Sequence, residues 1–353
     1  MILRMRMKVV IDDKIPFIRG EVEKLVDEVV YLPGAAIGPT QVKDADALIV
    51  RTRTLCNRQL LEGSNVRFIA TATIGYDHLD TKYLDEVGIQ WTNCPGCNAT
   101  SVGQYVRNAL LEAERAGMIR LGEATVGIIG YGHVGKAVCN ALRPYVKRIL
   151  LNDPPLEKVE SVECRVESLY SSLETLQEEC DIITLHTPLT KDGEYPTWHL
   201  IDERFLNSLK RQPVIINAAR GGVVDEKALL EAMDKGMVRQ AIIDTWEGEP
   251  DINPTLLRRA FIATPHIAGY SADGKANATR MSLAALAEWL RAKGKGQRDN
   301  GKGIMANVNN ICPPEAKAER TGLRYSPMED SERLKMHPET FEKLRGNYPL
   351  RRE

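Results

Sequence analysis

The stretch Thr125–Gly135, TVGIIGYGHVG, decides the fold. Its apolar half, with Val126, Ile128 and Ile129, suits a strand buried on both faces of a parallel sheet. The run ends in Gly130-Tyr131-Gly132-His133-Val134-Gly135, a G-x-G-x-x-G string, and the following KAVCNALRPYV has apolar residues at helical spacing. The glycines therefore fall at a strand-to-helix turn. There Gly130 permits the tight bend, Gly132 lets a pyrophosphate approach the backbone, and Gly135 lets helix and strand pack closely. The helix that starts at His133 and Val134 offers N–H groups and its positive dipole end to phosphates. A second apolar run, ILLND, ends at Asp153, 18 residues beyond Gly135. An acidic residue there accepts hydrogen bonds from a ribose 2′-hydroxyl and repels a 2′-phosphate. An ordinary surface aspartate is the bland alternative; the complete fingerprint favours a dinucleotide site that takes NAD rather than NADP.

Outward from this turn, strand candidates alternate with helical segments. Ahead of it lie residues 8–13, 28–32, 46–50 and 67–71, with helical stretches expected around 17–26, 56–62 and 79–87. This makes a small α/β unit without a glycine fingerprint. A long amphipathic helix from Ala99 to Gly117 follows. The second strand set is TVGIIG, RILLND, DIITLHTP, PVIINAA, QAIIDTW and FIATPHI, with a helix at Glu226–Lys235 among its crossovers. Such alternation predicts parallel sheets with crossover helices. Beyond His266 a helical run, residues 271–293, returns toward the first unit, and a Gly- and Lys-rich linker begins at Lys293. The last 40 or so residues hold few apolar positions and suggest an accessory segment.

The 353 residues are enough for about two domains. With 47 basic and 48 acidic residues the net charge is −1, which gives no electrostatic case for nucleic acid or membrane surfaces. The opening MILRMRMKVV lacks the apolar core and cleavage site of a signal peptide, so a cytoplasmic protein is expected, with Met7 as an alternative start. Seven scattered cysteines, at 56, 94, 97, 139, 164, 180 and 312, suit reduced thiols. Cys94-Pro-Gly-Cys97 has C-x-x-C spacing, but no second ligand pair accompanies it, so no metal is expected. A redox role is a minor alternative.

Three polar residues end later strands of the second set: Arg220 after VIINAA, Glu249 beyond IIDTW, and His266 after FIATP. Parallel topology puts them on the sheet edge that carries the glycine turn. Oxidation of a hydroxyl-bearing carbon by hydride transfer leaves a proton, which histidine accepts near neutral pH. A carboxylate beside it orients the ring, and an arginine clamps a substrate carboxylate. At strand ends of the first set, Thr52 and Thr73 are candidate substrate contacts. Arg51 and Arg53 are candidate contacts for a phosphate, although alternation sends neighbours to opposite faces.

The motifs GYGHVG, HTPLT, INAARGGVVDEKAL, DTWEGEP and TPHIAG, in that order, strongly resemble the D-isomer-specific 2-hydroxyacid dehydrogenases, from about residue 8 to 290. The resemblance implies α/β architecture with two doubly wound parallel-sheet domains. One is a flavodoxin-like substrate domain (7–98 and 270–290), the other a Rossmann NAD domain (99–269), and residues 291–353 are a linker and C-terminal accessory segment. It implies Arg220, Glu249 and His266 as the catalytic trio, with His266 as acid/base. It implies that Thr187, Ala218, Ala219, Arg220 and Asp244 line the NAD site together with Gly130, Gly132, His133, Val134, Gly135 and Asp153. Finer stretches, among them CPGCNATSVGQYV, HTPLTKDGEYPTWHL, TPHIAGYSADGKA and the tail PETFEKLRGNYPLRRE, resemble members that act on a small phosphorylated hydroxy acid. Position for position, Thr52 (where many members carry Ser) and Thr73 would touch substrate, Tyr270 substrate or cofactor, and Gly269 NAD. A homodimer is also implied, though the stretch after residue 290 is shorter than the dimerisation domain of many relatives. Two alternatives stay open: a family member acting on another acid such as 3-phosphoglycerate, and a binding protein that senses NAD.

Overall fold

The computed structural model describes residues 7–163, 170–293, 325–349 and 351. Cys164, Cys312 and most of the Gly- and Lys-rich linker lie outside the described residues. The chain forms two compact units, one of residues up to Asn98 and again from Ala272, the other of Ala99–Ser271 with the described C-terminal residues.

The first unit is built on β1 (Lys8–Asp12), β2 (Glu28–Leu32), β3 (Ala47–Val50), β4 (Phe68–Thr71) and β5 (Gln90–Thr92), all parallel in the order β2-β1-β3-β4-β5. This is the flavodoxin-like order. The strands ALIV and FIAT are buried throughout, as expected where crossovers cover both faces. Alternation divides them between two cores. Val9, Ile11, Ile49, Phe68 and Ala70 meet Leu283, Leu286 and Trp289 of the helix Ala272–Ala292, with Phe68 and Trp289 stacked at 5.3 Å. Val10, Leu48, Val50 and Ile69 meet Leu60, Leu61, Tyr83 and Leu84 on the other face. The helix expected over 17–26 is only a 3₁₀ turn at Val22–Lys24. Pro16 precedes it, and Gly20 takes φ +84°, a conformation outside any right-handed helix. The three-residue β5 was too short to show as a pattern.

The second unit carries β6 (Thr125–Ile129), β7 (Arg148–Asn152), β8 (Ile182–Leu185), β9 (Val214–Asn217), β10 (Gln240–Ile243) and β11 (Ile262–Ala263), parallel in the order β11-β10-β9-β8-β6-β7. Reversal of strand order on either side of β6 makes a topological switch point at the end of that strand, where such sheets bind ligands. The helices Ala99–Arg115 and His133–Leu142 pack on one face through Val106, Leu110, Val138 and Leu142. Gly103 makes their close approach possible, since a Cβ there would sit 3.0 Å from the Ala137 carbonyl oxygen.

The C-terminal segment joins this second unit. Its helices Pro327–Met336 and Phe341–Gly346 bury Leu334 and Phe341 in one of the unit's cores, and Tyr325 and Tyr348, which flank them, pack in the other. It also covers the edge strand: Ser331 Oγ accepts from Ala263 N at 2.9 Å, so an edge N–H that invites mispairing has a partner. No described helix is long and apolar enough to cross a membrane.

Candidate active site

At the end of β6, Gly130 turns the chain with φ +89°, and a Cβ there would lie 2.7 Å from the His186 carbonyl. A Cβ on Gly135 would meet the Gly130 carbonyl oxygen at 2.0 Å, so these two positions accept only glycine. Gly132 differs, because a Cβ there meets nothing within 4 Å. It is the N-cap of the helix His133–Leu142 and gives that terminus no side-chain cap. Open space over a helix end with uncapped N–H groups fits a pyrophosphate. Asp153, just past β7, accepts from Tyr131 N at 2.7 Å and from Leu156 N at 3.1 Å. Its carboxylate is thus fixed beside the glycine turn, with further lone pairs for ribose hydroxyls. Past β8, the Thr187 hydroxyl and His186 Nδ1 are buried without a partner among the described residues. Burial holds the His186 imidazolium down to about 3, so the ring is neutral. Orphaned buried polar atoms beside the glycine turn are what a polar cofactor would satisfy. The residues present therefore fit NAD.

Asp244, after β10, is buried and holds the segment after β11. Its Oδ1 accepts from Thr264 Oγ1 at 2.6 Å and from Ile267 N at 2.8 Å, and its Oδ2 from Ala268 N at 3.0 Å. Burial raises this carboxyl above its usual range although these donors oppose it. Its carbonyl also accepts from His266 N at 2.8 Å. Clamped on both sides, His266 adopts φ +56°, a left-handed conformation rare for a side-chain-bearing residue and one that the surroundings must enforce.

The strained His266 meets Glu249, with Nδ1 and Oε2 at 2.9 Å. Glu249 is set in turn by Trp246 N, which donates to Oε1 at 2.9 Å, while Trp246 Nε1 donates to the Thr264 carbonyl. Burial works to raise the Glu249 carboxyl. The hydrogen bond and charge of His266, the Trp246 N–H and the Arg345 guanidinium outweigh it and hold the group below its ordinary range. An ionised Glu249 fixes the proton on Nδ1, which leaves Nε2 to exchange one. Arg220 lies at the end of β9, with Nη1 donating to the Ala219 carbonyl at 2.8 Å. The next residue, Gly221, is pressed so tightly against Trp246 that a Cβ would fall 1.9 Å from its carbonyl oxygen. The Arg220 loop and the loop leading to Glu249 are thus locked together.

The segment expected to supply Gly269 and Tyr270 lies just beyond. Tyr270 packs edge-on to Tyr348 at 6.2 Å and hydrogen-bonds with Arg345. Ala218 and Ala219 follow β9, partly buried and buried. In the first unit, Thr73 bonds Thr71 Oγ1 at 2.7 Å and the Gly75 carbonyl at 2.8 Å. Thr52 and Arg53 are exposed at the end of β3, and Arg51 donates to the Lys14 carbonyl. Lys275, which sequence reasoning passed over, stands near Arg51. Burial, and then the Arg51 charge, push its ammonium down to about 8. Cys94 is buried with bonds to Thr71, Ala278 and Ser282, and burial pushes its thiol up to about 11. A thiol so poorly ionised is a weak redox nucleophile, which argues against a C-x-x-C function.

Comparison with known proteins agrees with this construction. The family model described as "D-isomer specific 2-hydroxyacid dehydrogenase, NAD binding domain" matches residues 98–268. The chain is 50% identical to an erythronate-4-phosphate dehydrogenase of Bacteroides thetaiotaomicron, over 98% of this chain and 97% of that protein. It is 49% identical to the protein of the same name from Bacteroides fragilis, with the same coverage. Among solved structures, NAD+-bound 3-phosphoglycerate dehydrogenase of Entamoeba histolytica is 26% identical with TM-score 0.66, covering 82% of this chain and 96% of its own. Two parallel α/β units, a glycine turn that fits NAD, a histidine–glutamate pair and near-full-length likeness at this level place the chain in the D-isomer specific 2-hydroxyacid dehydrogenase family, as an NAD-dependent dehydrogenase.

Proposed function

We propose that the chain oxidises 4-phospho-D-erythronate at C2 to (R)-3-hydroxy-2-oxo-4-phosphooxybutanoate, a step in the synthesis of pyridoxal 5′-phosphate. The observation that carries the chemistry is the 2.9 Å contact between His266 and Glu249 on a left-handed backbone. Glu249 keeps Nδ1 protonated, so Nε2 takes the C2 hydroxyl proton. Arg220 holds the substrate carboxylate and polarises the reacting oxygen. NAD+ held by Gly130, Gly132, His133, Val134, Gly135, Asp153 and Thr187, with Ala218, Ala219, Gly269 and Tyr270 beside it, supplies the hydride acceptor. Asp244 serves the same site by fixing the His266 backbone.

The names of the Bacteroides proteins support the phosphorylated substrate. So does the cationic character of the first unit at Arg51, Arg53 and Lys275, which suits a phosphate, while Thr52 and Thr73 supply hydroxyls. A cytoplasmic homodimer belongs to the same reading, and light scattering tests the dimer. A substrate panel tests the whole: purified protein with NAD+, 2-oxo acids added separately as hydride acceptors, and 4-phosphoerythronate, erythronate, 3-phosphoglycerate or D-lactate. Preferential turnover of 4-phosphoerythronate is expected. Turnover of another acid alone would discard the substrate, and NAD binding without any turnover would favour a sensing role.

A further inference from the structure

We propose that Arg345, delivered by the C-terminal helix Phe341–Gly346, is a positioning residue that shares the Glu249 carboxylate with His266 and thereby sets how tightly His266 holds its proton. Arg345 Nη1 lies 3.5 Å from Glu249 Oε2, the same oxygen that faces His266 Nδ1 at 2.9 Å. Arg345 and Glu249 are both largely screened from water, with side-chain exposures of 24% and 18%, so charge acts here more strongly than on an open surface.

The sign follows from the shared oxygen. A bare glutamate stabilises imidazolium, so that His266 holds its proton more tightly. A guanidinium on the same oxygen draws off part of that attraction and adds its own repulsion, so His266 gives up its proton more readily. Arg345 also keeps Glu249 ionised, so the orienting bond survives. Other charges face this group. Asp244 acts on His266, and Glu226 on Glu249. Glu247 and Asp225 flank Glu226, and Glu342 and Tyr270 bind Arg345. Against these acids stand two cations, the buried Arg351 acting on Asp244 and, directly on the Glu249 carboxylate, Arg345. Its place is held by the chain end, where the buried Arg351 donates to the carbonyls of Ile267 and Ala268, directly after His266.

This rests on the reading of His266 as acid/base, and the test separates the two. The His266 imidazole is titrated by NMR in the full-length protein without substrate, its signal assigned among six histidines by loss in His266→Gln. Arg345→Met is expected to raise the His266 pKa by about one unit, and Arg345→Lys to restore most of it. Glu342→Gln, which frees Arg345 from its 3.6 Å partner, is expected to lower it. The last variant keeps the test alive if Arg345→Met does not fold. Unmoved His266 titration in the folded variants overturns the proposal. The acid limb of the kcat/KM profile is expected to follow the NMR shifts; a limb that stays put while the NMR value moves refutes the acid/base reading and leaves Arg345's role intact.

Discussion

Asp244 and His266 are joined through the backbone rather than side chain to side chain: the Asp244 carbonyl accepts from His266 N, and its carboxylate takes the next two N–H groups. One buried acid thus fixes the left-handed histidine, and Glu249 fixes the ring. This division of labour means that ring orientation and backbone position can be perturbed separately.

Removing the ring should remove acid/base chemistry while sparing the fold. His266→Gln is expected to lower kcat by about 10²–10⁴, with NADH affinity, followed by fluorescence titration, within about twofold of the parent protein. Glu249→Gln should also lower kcat, because its amide cannot stabilise imidazolium. Near-normal turnover in either variant would remove the pair from the mechanism.

The glycines of the turn make opposite predictions. Gly135→Ala forces a Cβ to within 2.0 Å of the Gly130 carbonyl oxygen, so the protein should fail to fold or lose several degrees of Tm. Gly132→Ala places its methyl in open space and should fold with unchanged Tm. It should nevertheless weaken NAD, by roughly tenfold or more, if a pyrophosphate fills that space. Calorimetric titration of Gly132→Ala with unchanged affinity would show that the phosphates lie elsewhere.

These contrasts also mark what was legible in the sequence. Buried parallel strands such as IITL and VIIN announce themselves as short apolar runs, and their ends point to Arg220, Glu249 and His266. Arg345 and Arg351 could not be found this way. They lie in a polar tail with no period, and their partners are residues distant along the chain. Lys275 was hidden for another reason: it sits on the helix Ala272–Ala292, where one lysine among small residues looks like a solvated face. Asp244 came only with the family resemblance, as a residue lining the NAD site, and the tertiary structure reveals that its carboxylate serves the backbone after His266.

Glu226 offers a prediction about stability. Burial, together with Glu247, Glu249 and Asp225, pushes its carboxyl up to about 7, although Glu247 N donates to it at 2.8 Å. The folded protein therefore holds this proton more tightly than the unfolded chain. Glu226 costs no stability below the unfolded pKa, near 4.5, and stability falls as pH rises from there to about 7. Glu226→Gln keeps a carbonyl for Glu247 N and removes the charge. It should raise Tm by a few degrees at pH 8, have little effect at pH 4.5, and flatten the profile between. Equal Tm profiles for the two proteins would mean that Glu226 is not strained.

Lys275 offers a pH-dependent test of how the first unit takes a phosphorylated substrate. Its ammonium, held down to about 8 by burial and by Arg51, is half lost near that pH. If it faces the substrate phosphate, KM for 4-phosphoerythronate should climb above pH 8 while kcat changes little, because the phosphate is distant from the reacting carbon. A bound dianion restores the proton, so phosphate binding should be accompanied by proton uptake between pH 7.5 and about 9, readable as a buffer-dependent heat in calorimetry. Lys275→Met should raise KM by roughly tenfold and abolish the alkaline climb, and it should leave KM for unphosphorylated erythronate unchanged. A Lys275→Met protein whose KM values for both acids rise in parallel would show that the lysine supports the fold of the unit and does not read the phosphate.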